Sequence, residues 1–470
     1  MIPSRALSPR AAIWLVASCL AIGLAASVYR IPIQASDSLE LFERVAATPS
    51  IARLFVSSVT SSSTNLRPMR DVQSALLVRV ADGLGIDETH VFRGYHALGA
   101  VLLVVAFTAA LRVRDWTDAA AGMFALTVLL GLHTTLGLFE EAFPINHFLL
   151  VALGTLVMLL VARTPGSRAI DVLVTALAVF VTLTVESGLL LLPVAVVVYL
   201  AEGRGITRST IAGLTVVLGV YVLLRMGLLG MMGSTLGDRA TGFGLTMLDG
   251  DALRARFGAS PSTIYAYTVA SQALTVVLSQ PIEGVWTAVR DWRATGLAQY
   301  ELVAVTSSIV TTALVVWYLL STDADGVRGF RRSAAGAFLV VLVGSAVLSY
   351  AYAKTDVMSA AGVLYALVAF HAVRHLLGRS ITWSRPVVGF VAVLAVGVSL
   401  LWTTRAAGLQ YQLERAAFGA RNEWVRDPDF SLDAHTHTVV ASSLRRQALR
   451  RPTTNPYLMP PFTTRLWGEP

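Results

Sequence analysis

The run AAIWLVASCLAIGLAASVYRIPIQASDSLELFE, from Ala11 to Glu43, decides the fold class of this chain. Its first part, Ala11 to Tyr29, is about 19 apolar residues that follow Arg5 and Arg10, long enough to cross a hydrocarbon core of ~30 Å. Small residues near its end are also typical of a cleaved signal peptide, but more apolar runs follow and no globular sequence does. We therefore interpret it as a retained first transmembrane helix with its amino terminus inside.

The composition of the whole chain agrees with a membrane protein that crosses the bilayer many times. Of the 470 residues, 55% are hydrophobic and 14% are charged, against about 25% charged residues in an average soluble domain. The net charge of +8 comes mostly from arginines in short loops between apolar runs, which is the positive-inside pattern and not a nucleic-acid surface. The only cysteine, Cys19, excludes an intramolecular disulfide and a cysteine-based metal site.

The apolar runs predict an all-α polytopic fold with about eleven transmembrane helices. The predicted spans are Ala11–Tyr29, Gly94–Leu111, Ala119–Leu138, Phe148–Val161, Ile170–Thr184, Gly188–Leu200, Thr210–Leu229, Tyr300–Leu320, Ala334–Tyr350, Met358–Val373 and Val387–Thr403. The loops between them alternate, with arginines on one side and Glu140, Glu141 and Glu186 on the other. This alternation predicts a cytoplasmic (inner) membrane protein with its amino terminus inside and its carboxyl terminus outside.

Two long outer loops interrupt the predicted transmembrane domain of residues 1–404. The first, residues 30–93, contains VQSALLVRVADGL, whose periodicity predicts an amphipathic helix along the membrane surface. The second, residues 231–297, contains the apolar segment TIYAYTVASQALTVVLSQP. Counting that segment as a span would put the next arginines outside, so we expect it to be interfacial or re-entrant. Residues 405–470 are predicted to form a short polar tail on the outer side, too small for a separate catalytic domain.

Carboxylates near the outer membrane surface are the first candidates for chemistry. Asp37 lies about eight residues beyond the first span, where it could remove a proton from an acceptor hydroxyl as a general base, or be a solvated loop aspartate. Glu140, Glu141 and Glu186 end different helices at the same level, and charges so close to hydrocarbon are unfavourable unless they pair or face water. The alternative for these three is a helix-end carboxylate at the interface.

Lys354 is the only lysine among 37 basic residues. A lysine ammonium is a compact point charge suited to a phosphate, although an ion pair with the nearby Asp356 is an equally simple interpretation. The chain has no Walker loop, GxGxxG, GxSxG or HExxH motif. Nothing in the sequence indicates a cofactor, and no motif supports a divalent metal.

Four segments together resemble the GT-C glycosyltransferases, polytopic enzymes that use polyprenyl-phosphate-linked sugars, and within them the protein O-mannosyltransferases and their relatives. The similar segments are the loop with Asp37, NLRPMRDV followed by FRGYHALGAVLLVV, ALTVLLGLHTTLGLFEEA followed by TVESGLLLLP, and YAYAKTDVMSAAGVLYAL. The resemblance covers roughly residues 10–380. The chain departs from the family pattern at Ser38, Thr134 and Val185, where a second acid, a proline and a lysine are expected.

The resemblance implies a sugar transfer with inversion, by direct displacement, to an acceptor hydroxyl on a protein, lipid or glycan. Asp37 is then the catalytic base, and a cation stabilises the departing polyprenyl phosphate. The residues expected to bind the substrates are Lys354, Glu40, Arg67, Arg70, Glu140, Glu141, Glu186 and Asp356.

Three other functions stay open on the sequence. A secondary transporter would have discontinuous helices and inverted repeats at mid-membrane, and the long first loop argues against it. A lipid-linked polysaccharide ligase or polymerase would rely on arginines and a histidine in a late outer loop, whereas the acidic loop comes early here. A non-catalytic relative is the third alternative, because Asp37 has no second acid beside it.

Overall fold

The chain is helical throughout the part that a computed structural model describes. The described residues are 7–48, 50–60, 66–140, 147–228, 251, 254–255, 258, 262–278, 292–294, 296, 299–321, 330–349, 355–380, 382–426, 438–453 and 455. The helices are α1 (Pro9–Arg30), α2 (Ser36–Ala47), α3 (Ile51–Thr60), α4 (Pro68–Leu84), α5 (Glu88–Leu111), α6 (Trp116–Gly131), α7 (His133–Glu140), α8 (His147–Val161), α9 (Arg168–Thr182), α10 (Leu191–Leu200), α11 (Arg208–Val222), α12 (Ser262–Leu278), α13 (Gln299–Ser321), α14 (Phe330–Leu348), α15 (Ser359–Ser380), α16 (Arg385–Arg426) and α17 (Thr438–Arg450). Short 3₁₀ turns, Glu186–Leu190 and Thr355–Met358, precede α10 and α15, and a π-helical turn, Leu223–Leu228, follows α11.

Six helices of the described part are long and apolar enough to cross a membrane. They are α1, α5, α11 continued to Arg225, α13, α15 with the turn before it, and α16. The pair α6 and α7 makes a seventh if it counts as one span, but it bends by 67° at Leu132. The described part of the chain is therefore all-α, and the protein is a multi-pass membrane protein. The other four predicted spans coincide with α8, α9, α10 and α14, whose apolar parts have fewer than 18 residues, so the number eleven stays a prediction.

Ion pairs and capping contacts fasten the arginine-bearing loops at one end of the bundle. Asp118, in the first turn of α6, binds Arg374 of α15 at 2.5 Å and accepts the backbone N–H of Arg114 at 3.0 Å. Arg163, in the loop after α8, donates to the carbonyl of Ala109 at 3.3 Å near the end of α5, where the helix dipole favours a cation. Burial and the charges of Arg112 and Arg114, in the loop between α5 and α6, lower the pKa of Arg163 to about 10, so it stays charged at neutral pH.

The first long loop and the chain's last helices pack together at the other end of the bundle, called here the α4 end. Helix α16 has 42 residues, or about 63 Å at 1.5 Å per residue, so it extends well beyond a bilayer. The predicted domain boundary at 404/405 falls inside it. Near its end, Trp424 donates its indole N–H to the carbonyl of Ile33 at 2.7 Å, and Glu423 accepts the backbone N–H of Ala35 at 2.8 Å.

Helix α17 packs at the α4 end as well, against α2, α5 and the end of α16. Gln447 accepts hydrogen bonds from the backbone and the hydroxyl of Thr89, at 3.2 and 2.9 Å, and so ties α17 to the start of α5. Apolar side chains from α2, α5, α16 and α17 form one buried cluster, whose members include Leu39, Phe42, Phe92, Trp424 and Leu444. The loop and the tail are therefore held by a common core.

Helix α12 contains the apolar segment of the second long loop. One of its faces packs against the bundle: Gln272 donates to Ser349 at 3.2 Å, Val276 is buried, and the carbonyl of Val277 accepts a hydrogen bond from Thr312 of α13. Other residues of α12, among them Tyr267 and Leu274, are exposed. An interfacial or re-entrant path stays a prediction for this segment.

Candidate functional site

The amino-terminal end of α4 is fixed against the end of α9. Pro68 occupies the first turn of α4, where its fixed φ angle suits a helix start. The backbone N–H of Met69 donates to the carbonyl of Leu183 at 3.0 Å, and the amide of Gln73 donates to Thr184 at 2.9 Å. These bonds hold Arg67 and Arg70 beside the 3₁₀ turn that follows α9.

Glu186, the first residue of that turn, joins two arginines through its two carboxylate oxygens. Arg67 approaches Oε2 with Nη2 at 2.6 Å and Nε at 2.8 Å, and Arg225 approaches Oε1 with Nη1 at 3.5 Å. Burial alone would raise the pKa of Glu186, but Arg67 and then Arg225 lower it below its ordinary value. Glu186 is therefore ionised and unsuited to act as a general acid at neutral pH.

Asp71, in the first turn of α4, makes a second bridge of the same kind. Arg44 of α2 lies 3.0 Å from Oδ2, and Nε of Arg70 lies 3.4 Å from Oδ1. The hydroxyl of Ser58 on α3 also donates to this carboxylate. The side chain of Asp71 is 2% exposed, and a buried carboxylate near a helix amino terminus is favoured by the helix dipole as well as by its ion pairs.

The two bridges form one continuous group, called here the arginine cluster, with the members Arg44, Arg67, Arg70, Arg225, Asp71 and Glu186. Arg67 and Arg70 lie one turn apart at the start of α4, which joins the two bridges. Burial lowers the pKa of Arg70, Asp71 opposes this, and the charges of Arg67 and Arg44 lower it further. Among the side chains described, the arginine cluster has four guanidinium groups and two carboxylates. The side chains of Arg44, Arg67 and Arg70 are 35%, 21% and 17% exposed. A planar guanidinium that reaches solvent can bind a phosphate or carboxylate through two parallel hydrogen bonds.

The acidic helix α2 lies next to the arginine cluster and provides one of its members. Leu41 and Val45 of α2 pack with Leu54 of α3 and Ala75 of α4 in a small buried core. The predicted base, Asp37, lies on the same helix two turns before Arg44, or about 10 Å along the axis. Glu40 lies one turn before Arg44. The backbone of α2 thus brings Asp37 and Glu40 close to the arginine cluster, and their side chains lie outside the described part.

Two of the other predicted substrate-binding residues, Glu140 and Asp356, lie in the described part of the chain. Glu140 is the last residue of α7 and is half-buried. Asp356 is buried in the turn before α15, against α7, so closely that a side chain at Gly137 would collide with its carboxylate. The turns that carry Asp356 and Glu186 both pack against α14. Glu141 and Lys354 lie outside the described residues.

Arg67, Arg70 and Glu186 were predicted from the sequence, whereas Arg44, Asp71 and Arg225 were not. Arg225 had a usable signal, because an arginine inside an apolar run indicates a functional or paired residue in a membrane protein. Asp71 follows directly on Arg70 in the segment NLRPMRDV. Arg44 had no such signal, since a charged residue on an amphipathic loop helix is ordinarily solvated.

Within the described ranges, no group of three or more His, Cys, Asp or Glu side chains could hold a metal ion. No protein-family model matches the chain, and a search of curated proteins finds no match either.

Proposed function

We propose that this protein is a membrane glycosyltransferase of the GT-C type, which moves a sugar from a polyprenyl-phosphate donor to an acceptor hydroxyl outside the cytoplasm. The observation that carries the proposal is the arginine cluster, which lies at the α4 end of the bundle next to the acidic helix α2. A transferase of this kind needs cations for a phosphate and a carboxylate base near them, both at a membrane surface. The four segments similar to GT-C enzymes support the same assignment.

In the proposed reaction, the acceptor oxygen attacks the anomeric carbon of the sugar from the side opposite the phosphate. The bond from that carbon to the phosphate oxygen breaks, and its electron pair leaves with the polyprenyl phosphate. The acceptor proton passes to the carboxylate of Asp37, and the sugar configuration inverts. Arg67 and Arg70 stabilise the charge that develops on the leaving phosphate, which is the step where preorganised cations contribute most.

The other predicted residues have secondary roles in this proposal. Lys354 supplies a further cation for the donor phosphate, while Glu40, Glu140, Glu141 and Asp356 contact the sugar or the acceptor. Glu186 acts through Arg67, which it holds in place. The protein resides in the cytoplasmic membrane with its amino terminus inside, and the α4 end, with the carboxyl terminus, faces outward. Its acceptor is a protein, a lipid or a glycan.

Substitution of the base tests the proposal. Loss of a positioned general base slows catalysis by ~10²- to 10⁴-fold, so Asp37→Asn membranes should transfer labelled sugar from a polyprenyl phosphate at least about a hundredfold more slowly. Glu40→Gln, on the same helix, is the matched control and should be much milder. Full transfer by Asp37→Asn, or equal losses in the two variants, would place the base on another carboxylate.

The bend between α6 and α7 favours a transporter instead, because discontinuous helices line many transport sites. Product analysis separates the two functions. A transferase converts the labelled donor into a new glycosidic product and free polyprenyl phosphate, whereas a transporter changes only the side of the membrane on which the label lies. Movement of intact labelled donor without a new product would contradict the transferase.

A further inference from the structure

Helix α4 exposes a stripe of apolar side chains beyond the arginine cluster. Leu76, Val80 and Leu84 are 47%, 47% and 65% exposed. Their spacing of four residues puts them on one face of the helix. Gln73 begins the same face, three residues before Leu76. A contiguous apolar stripe that is exposed on a packed helix marks a surface for a membrane or an apolar ligand.

The direction of this face is set by what Gln73 touches. Gln73 donates to Thr184 at the end of α9 and accepts a hydrogen bond from Tyr95 of α5 at 3.1 Å. Ala75, on the other side of α4, packs in the small buried core with Leu41 and Val45 of α2 and Leu54 of α3. The stripe therefore faces away from α2 and α3, toward the end of α9 and the membrane-spanning helix α5.

Helix α5 carries a second exposed stripe. Leu98, Leu102 and Val105 are 54%, 48% and 41% exposed and lie on the same face as Tyr95, because their spacings from it are three, seven and ten residues. α5 is one of the helices long enough to cross the membrane. The two stripes consequently meet at the hydrogen bond between Tyr95 and Gln73, and Arg70 lies only one turn of α4 before Gln73.

We propose that the angle between α4 and α5 binds the isoprenoid chain of a lipid whose phosphate lies at Arg70 and Arg67. The chain runs along Leu98 and Leu102 into the bilayer, and α4 lies in the boundary between headgroups and acyl chains with its stripe toward the lipid. A phosphate at this depth reaches the partly exposed side chains of Arg67 and Arg70 without leaving the membrane surface. This inference rests on the proposed function, since it names the place of the donor's lipid part.

The depth of α4 is measured with nitroxide labels on single cysteines in a Cys19→Ser background. The protein is reconstituted in vesicles of phosphatidylcholine and phosphatidylglycerol, and labels at Val80→Cys and Leu84→Cys are compared with one at Asp82→Cys, an exposed residue off the stripe. We expect the stripe labels to be relaxed by oxygen and shielded from a water-soluble nickel complex, and the Asp82 label to show the reverse. Equal nickel accessibility at all three positions would overturn the interfacial placement of α4.

Binding of the lipid chain is tested with undecaprenyl phosphate and with geranyl phosphate, which has the same headgroup and a much shorter chain. Leu98→Trp fills the angle with an apolar side chain, and Val172→Trp, at a 68% exposed position on α9, is the control. We expect Leu98→Trp to weaken binding of undecaprenyl phosphate about tenfold or more, since a long apolar chain loses its contact area. Binding of geranyl phosphate, and both affinities in Val172→Trp, should not change.

The outcomes separate this inference from the proposed function. If wild-type protein binds both lipids and Leu98→Trp binds undecaprenyl phosphate unchanged, the chain lies elsewhere and only this inference fails. If wild-type protein binds neither lipid, the phosphate role of the arginine cluster fails, and the proposed donor fails with it.

Discussion

Two carboxylates hold the arginine cluster together, and each uses both of its oxygen atoms to do so. Glu186 joins Arg67 to Arg225, and Asp71 joins Arg44 to Arg70. Four guanidinium groups near a membrane would repel one another without these anions, and ionised groups so close to hydrocarbon need partners. The carboxylates therefore fix the spacing of the cations that are proposed to bind a phosphate.

Replacing Glu186 by Gln should lower stability in a way that depends on pH. Removing one partner of a buried ion pair costs about 3 kcal/mol or more, so the thermal unfolding midpoint of the purified Glu186→Gln protein should fall clearly at pH 7. Because the folded-state pKa of Glu186 is lowered, its contribution is present above the unfolded value near 4.5 and is lost as the pH falls through the folded value. The difference between the two proteins should therefore be constant around neutral pH and shrink below pH 4.5. A difference that grew with acid would show that Glu186 is not held as an anion.

The sequence identified single charged residues of the arginine cluster, but not the ion pairs between them. Arg67, Arg70 and Glu186 could be named because charges beside apolar runs need an explanation. The contact between Arg67 and Glu186 spans 119 positions and depends on how α4 docks against α9. That docking rests on Met69 and Gln73, and neither residue carries a local signal.

Helix α16 shows which part of a long helix its hydrophobic pattern predicts. Its apolar first half was predicted as a span, because a bilayer needs about 20 apolar residues. Its second half was assigned to a polar tail, although Leu409, Leu413, Ala417, Ala420 and Trp424 repeat at helical spacing and are all buried. The periodicity was present, but the surfaces that bury it are distant in sequence. Leu409, Leu413, Ala417 and Ala420 pack in the main core of the bundle, and Trp424 packs in the cluster that contains Ile33.

Loss of Trp424 should detach this end of α16 from the first loop. The indole is 6% exposed and donates to the carbonyl of Ile33, and replacing a buried tryptophan by alanine costs roughly 3–5 kcal/mol. Trp424→Ala should therefore make the segment after α16 much more sensitive to limited proteolysis and lower the unfolding midpoint. Val425→Ala changes a neighbour that is 46% exposed and should behave as wild type. Equal proteolysis of the two variants would mean that the tail does not depend on this contact.

For the whole molecule, the alternation of charged loops predicted which loops share an end. Loops with Arg114 and Arg163 lie at one end, and the segments with Glu186 and Asp356 lie with α4 at the other. Hydrophobicity and charge were enough for this, since both act on whole segments. The number of spans is less well specified, because α8, α9 and α10 are short and the pair α6 and α7 is bent. Short or broken helices cross a membrane only where neighbouring helices satisfy the backbone groups that are left unpaired.

Both the proposed site and the predicted topology depend on which end of the bundle faces the outside of the cell. If the arginine-bearing loops are cytoplasmic, the arginine cluster and the α4 end face outward. A cysteine at the exposed Asp82 should then react with an impermeant thiol reagent in intact cells, in a Cys19→Ser background. A cysteine at Thr117, exposed at the other end of the bundle, should react only after the membrane is permeabilised. The reverse pattern would place the arginine cluster in the cytoplasm, where a donor displayed on the outer leaflet could not reach it. Labelling of both positions in intact cells would mean that the helices between them do not separate two compartments.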